Sequence, residues 1–141
     1  WINEGMGDYF FGGNWAKKGG KLGLEIQPNS WRLETIQAAI KEGKHVPLSK
    51  IFKYNQSNYY SDAGLCYSEG WSICYFFLTS DVAKKKQYAK LIEKLLYGLL
   101  TSGNWEKATE QTFQGVDVEK MEEEWKAYIL SLKLGGSAPK R

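Results

Sequence analysis

The chain has 141 residues, 43% hydrophobic and 25% charged, with a net charge of +3. That length supports one hydrophobic core and not two, and the composition excludes disorder and collagen-like structure. The charge is too mild to argue for a nucleic-acid partner: the lysines are scattered apart from Lys84, Lys85 and Lys86, which read as a solvated helix flank. No apolar run approaches the ~20 residues of a membrane span. Aromatic residues make up 15%, which points to a well-filled core or a binding cleft.

In chain order, Trp1 to Phe11 reads as the end of a helix, with Trp1, Gly5, Asp8 and Tyr9 on one side. Nothing caps its start, and the chain opens on Trp rather than Met, so it reads as an excised or processed piece. Residues 12–27 are Gly-rich; Leu22, Leu24 and Ile26 alternate there, predicting a short strand or hairpin. The glycines do not form a phosphate loop, because Leu22 stands where a magnesium-binding Ser or Thr belongs. Asn29 or Ser30 caps a helix that Gly43 ends, with Leu33, Ile36 and Ile40 facing inward. Pro47 opens a short helix that buries Leu48, Ile51 and Phe52. Asn55 to Asp62 is polar and turn-rich.

Tyr67 to Leu78 is apolar nearly all round, so that helix should be central. A long helix is predicted from about Val82 to Ser102, with Gly103 as its stop. Asn104 starts another through Phe113. Asp117 caps the last, whose buried stripe is Met121, Trp125, Tyr128, Ile129 and Leu132. Residues 135–141 read as a flexible tail. The expected fold is mainly α: a bundle of about six helices in one domain over 1–134, with one Gly-rich excursion.

Self-contained chemistry is scarce. His45 is the one histidine and reads as a solvated loop residue. Cys66 and Cys74 on one helix would lie ~12 Å apart along its axis, beyond the ~7 Å limit for a disulfide, so they read as buried thiols. No Cys/His spacing suits a metal, and no Gly-x-Ser-x-Gly elbow is present.

Two segments carry a resemblance. Trp1-Ile2-Asn3-Glu4-Gly5-Met6-Gly7-Asp8-Tyr9-Phe10 resembles the W-x-x-E-G-x-A-x-Y-x motif of the gluzincin metallopeptidases. Tyr67-Ser68-Glu69-Gly70-Trp71 and the apolar run after it resemble the Tyr-x-x-Gly/Ala-aromatic helix start of gluzincins of the aminopeptidase N type. Gly20 to Pro28, Arg32-Leu33 and Pro47-Leu48 follow the layout of the bacterial peptidase-MA-like proteins, a gluzincin branch long described as a domain of unknown function. The resemblance covers roughly residues 1–132. It departs at Gly7, where the family prefers Ala, and above all in lacking His-Glu-x-x-His, the motif that supplies two zinc ligands and a general base.

The resemblance implies that Glu4 is the third zinc ligand and that Tyr67 donates a hydrogen bond to the oxyanion; Tyr60, seven residues earlier in the same region, is a weaker second candidate donor. It further implies a peptide or protein substrate, zinc in the intact protein and little or none on this chain. It implies packing against an N-terminal part of the same domain that carries the histidines, and a bacterial secreted or envelope protein. The chain alone should hydrolyse nothing, since one carboxylate lacks the chelation of a three-ligand site. Glu4 and Tyr67, sixty-three residues apart in sequence, should then converge within about 5–10 Å, on a face with exposed apolar side chains. Independent placement would separate them by ~15–25 Å. The alternative is a non-catalytic helical module whose aromatics, Trp15, Trp31, Tyr59 and Tyr60 among them, form a groove for a peptide or sugar.

Overall fold

The computed structural model describes residues 1–133; the tail expected over 135–141 lies outside them. Among these described residues nine helices and one hairpin follow one another: α1 Ile2–Phe11, β1 Gly13–Lys18, β2 Lys21–Ile26, α2 Ser30–Lys41, α3 Leu48–Ile51, α4 Gln56–Ser61, α5 Ala63–Thr79, α6 Asp81–Lys85, α7 Ala89–Ser102, α8 Trp105–Phe113 and α9 Val118–Ser131. The domain is thus mainly helical. Among the described residues no helix is long and apolar enough to cross a membrane.

The apolar run from Trp71 to Phe77 is buried on every side, and α1, α2, α6 and α9 all pack on α5. A helix without a polar face is stable only where neighbours cover most of its circumference. Leu33 and Ile36 of α2 and Met121, Trp125 and Ile129 of α9 supply much of that cover. Gln37 ties α2 to the end of α9, donating to the carbonyls of Ile129 at 2.8 Å and Leu132 at 2.9 Å. Cys66 and Cys74 are buried and free.

Local signals account for most boundaries. Side-chain oxygens of Asn29, Asn104 and Asp117 accept backbone N–H bonds three residues on, which satisfies donors that a helix start leaves open. In the hairpin, Gly19 and Gly20 have φ of 57° and 79°, a region glycine enters without a steric penalty. Trp15 pairs with Leu24 and Gly13 with Ile26, so one face of the ribbon is apolar.

Three boundaries differ from the sequence reading, and two of them add a helix, which takes the count above about six. Residues 56–61, read as turn-rich, form α4, with Asn55 Oδ1 accepting the Asn58 N–H at 2.8 Å; Tyr60 is therefore helical. The central helix begins at Ala63 rather than Tyr67, with Asp62 at its cap. The long helix expected over 82–102 is broken by Gln87, whose φ is 58°. That break turns the Tyr88 ring onto Phe76 and Phe77, with centroids 6.0 and 5.6 Å away, while its hydroxyl donates to Glu124 at 2.9 Å. Burying an aromatic ring against two others offsets the strain of one left-handed residue. On α7, Leu96 is exposed although Ile92 and Leu95 are buried.

Candidate functional site

The site is built where α1 crosses α5. A Cβ on Gly5 would lie 2.3 Å from the Gly70 carbonyl oxygen and 2.9 Å from Cys74 Sγ; one on Gly70 would lie 3.0 Å from the Trp1 carbonyl oxygen. Only a glycine at each position lets the two backbones approach this closely. Glu4 immediately precedes one of these glycines, and Tyr67 lies one turn before the other. The crossing therefore brings residues far apart in sequence onto one surface.

On that surface Tyr60, from α4, donates its hydroxyl to Glu4 Oε1 at 2.9 Å. Tyr67 joins them. Its phenol is pushed up to about 12, first by the hydrogen bond with the Tyr60 hydroxyl, then by burial, then by the charge of Glu4 and a hydrogen bond to it. The Tyr60 and Tyr67 rings lie 6.1 Å apart, and Tyr59 packs against both at 6.0 and 5.7 Å. Tyr59 spends its own hydroxyl on the Cys66 carbonyl at 2.7 Å, and burial raises its phenol further than that of Tyr67. All three residues singled out in the sequence, Glu4, Tyr60 and Tyr67, thus meet.

Two partners escaped the sequence reading as a unit. Asp8, one helical turn after Glu4, forms an ion pair with Arg32 of α2, Nε to Oδ2 at 2.8 Å. The Arg32 guanidinium lies over the Tyr67 ring at 5.1 Å and the Trp31 ring at 4.6 Å. The four-residue spacing of Glu4 and Asp8 was the available signal, since it puts two carboxylates on one helix face; that Arg32 would answer the second depends on how α2 packs.

A second polar cluster lies away from this surface. His45 is half-buried rather than solvated: Nε2 meets Glu122 Oε1 at 3.0 Å, and its ring lies 5.8 Å from that of Trp125. Glu122 also accepts the Leu48 N–H at 2.8 Å. Glu69, on α5, is fully buried and accepts the Val46 N–H at 2.9 Å. A lone carboxyl inside an apolar run was the signal for it.

A catalytic zinc site takes three protein ligands and leaves one position open. Among the described residues no three His, Cys, Asp or Glu side chains come together in a group that could hold a metal. Glu4 fits the part of one hard oxygen ligand, half-exposed at the surface and oriented by a phenol. Both cysteines fit poorly, because burial pushes the Cys66 thiol up to about 11 and the Cys74 thiol up to about 12, and a thiol must ionise to bind metal.

Beside Glu4 a cleft of ≈ 370 Å³ opens between the start of α1, the 54–60 stretch and the start of α8. Tyr59 and Tyr60 line it, whereas Trp15 and Trp31 do not. Trp15 and Trp31 are exposed elsewhere, as are Phe11 and Leu22, so uncovered apolar surface is not confined to the Glu4 cleft. With this geometry in hand, the comparisons supply no relative: no family model, no curated protein and no solved structure matches the chain.

Proposed function

We propose that this chain is the helical part of a zinc-dependent peptidase domain, with Glu4 as one of three metal ligands and Tyr67 as the oxyanion donor. The observation that carries the reading is the convergence of Glu4, Tyr60 and Tyr67 across the Gly5–Gly70 crossing. In this reading two histidines and a general base come from a His-Glu-x-x-His segment outside residues 1–133, which packs over the Glu4 face. Zinc bound there supplies a polarised water for attack on a peptide carbonyl.

The residues of this chain do the rest. Tyr60 holds one oxygen of Glu4 and so orients the other as ligand, the role a hydrogen-bonding partner commonly plays behind a metal ligand. Tyr67 stays protonated through the physiological range, since its phenol sits near 12. It is therefore a neutral donor whose hydrogen bond strengthens as negative charge develops on the carbonyl oxygen. Arg32, anchored by Asp8, positions the Tyr67 ring from above its face.

The test needs the polypeptide that contains the histidines. Glu4→Gln should lose stoichiometric zinc. Tyr67→Phe should keep zinc and KM but lower kcat by ~10²–10³-fold, the cost of losing one oxyanion donor. Zinc titrated into the present chain should show no tight site. A gene with no His-Glu-x-x-His before Trp1, or a Glu4→Gln enzyme that retains its zinc, would overturn the assignment.

A second reading, a non-catalytic binding module, is favoured by one observation: half of the residues that line the cleft beside Glu4 are aromatic.

A further inference from the structure

The lining of the cleft beside Glu4 is chemically one-sided. Among the described residues, five of the ten that line it are aromatic, namely Trp1, Tyr54, Tyr59, Tyr60 and Trp105; Ile2 and the amides Asn3, Asn55 and Gln56 complete the walls with Glu4, the one carboxylate, and none is Lys, Arg or His. The rings of Tyr59 and Tyr60 stand 6.0 Å apart at 87°; Tyr59 is buried and Tyr60 exposed. The Tyr59 hydroxyl is engaged by the Cys66 carbonyl, which leaves its ring as its contribution to the cleft. The Tyr60 hydroxyl is engaged by Glu4, which fixes the carboxylate at the edge of the aromatic wall.

Aromatic faces carry negative electrostatic potential and attract cations, most strongly when the cation sheds its water. A small inorganic cation keeps its hydration and prefers several oxygen ligands. An anion is repelled by Glu4 and by the ring faces alike. A neutral apolar group gains nothing from the carboxylate. The cation that suits apolar walls and a single carboxylate is one that carries its charge inside a hydrocarbon shell. The volume, ≈ 370 Å³, lies within the ~300–1,000 Å³ of small-molecule sites.

We propose that this cleft binds an alkylated ammonium group, held by the rings of Tyr54, Tyr59, Tyr60 and Trp105 with Glu4 as counter-charge. The site does not rest on the zinc reading, because it uses Glu4 as a charge and needs no metal. The nearest competing cation is the amino group of Trp1, whose pKa burial lowers from 8.0, with the Glu4 carboxylate opposing the shift. At pH ~8.5, above the ordinary value of 8.0, that amine is mostly neutral.

The experiment is calorimetric titration of the 141-residue chain at that pH with EDTA present. The probes are choline and its neutral carbon isostere, 3,3-dimethylbutan-1-ol. Choline should bind one to one in the millimolar range or tighter, and the isostere at least ~10-fold more weakly. Glu4→Gln keeps an acceptor for Tyr60, and Tyr60→Leu changes an exposed residue, so both variants should fold. Each should weaken choline ~10-fold. Equal binding of the isostere would make the cleft a plain apolar pocket and overturn the proposal. So would no saturable choline binding, or choline binding that neither variant changes. Loss of the zinc assignment would leave these results standing, since no metal takes part.

Discussion

Gly5 and Gly7 lie two positions apart on α1 and meet opposite constraints. A Cβ on Gly5 would sit inside the Gly70 carbonyl and against Cys74, whereas a Cβ on Gly7 has nothing within 4 Å. Gly5→Ala should therefore destabilise the chain by ~3 kcal/mol, the cost of forcing two packed backbones apart. Gly7→Ala should stabilise it by ~0.5–1 kcal/mol, the helix preference of Ala over Gly. Urea denaturation of the two variants checks both signs. A Gly5→Ala chain as stable as the parent would mean that α1 and α5 separate freely. The Glu4–Tyr60–Tyr67 cluster would then lack a rigid frame.

At the scale of the element, α5 carries its own pH sensor in Glu69. Burial pushes this carboxyl up to about 8, opposed by the Val46 hydrogen bond and reinforced by the charge of Glu122. A carboxyl whose pKa rises on folding favours the native state when protonated. Its contribution is full below the ordinary value of 4.5 and is lost as pH rises through about 8. Glu122 runs the other way. Burial alone would raise it, but His45, the Leu48 N–H and Lys126 together hold it below 4.5, so its contribution is present above that value and lost in acid. Glu69→Gln keeps an acceptor for the Val46 N–H. It should stabilise the chain by ~2–4 kcal/mol at pH ~9 and be near neutral at pH ~5. Thermal unfolding of parent and variant at the two pH values tests this; a difference that does not grow with pH would show that Glu69 ionises freely in the fold.

For the whole molecule, the centre of the core is Trp71, fully buried among the helices that surround α5. Its neighbourhood is held by contacts between distant elements. Trp125 of α9 donates its indole N–H to Ser72 Oγ at 3.0 Å, and the Trp71 and Tyr75 rings lie 5.3 Å apart. Trp71→Ala should cost ~3–5 kcal/mol, the transfer term plus the cavity left in a core that cannot collapse. The denaturation midpoint is the measurement. A small shift would place the helix at the periphery and remove the support it gives to Tyr67.

Much of this architecture is legible from neighbours in sequence. The caps at Asn29, Asn104 and Asp117 act within one helical turn, and the stripes of α2 and α9 repeat every three or four residues. The alternation of Leu22, Leu24 and Ile26 around a glycine pair marks the hairpin. The candidate residues Glu4 and Tyr67 likewise stand in local motifs, and Tyr60 lies seven residues before Tyr67. What the sequence left open depends on groups that meet only after folding. The break at Gln87 goes with the cover that Tyr88 finds on Phe76 and Phe77, whereas α4 and the early start of α5 have local caps in Asn55 and Asp62 that the sequence reading passed over. The hydrogen bond of Tyr60 to Glu4, the Arg32–Asp8 pair beside Tyr67 and the arrival of Trp105 at the cleft join segments drawn from most of the chain. A side chain's neighbours across a helix crossing are set by the shape of both surfaces, here two glycines that let α1 and α5 touch. Composition and periodicity tell which face of a helix turns inward, and only the packed structure decides what that face meets.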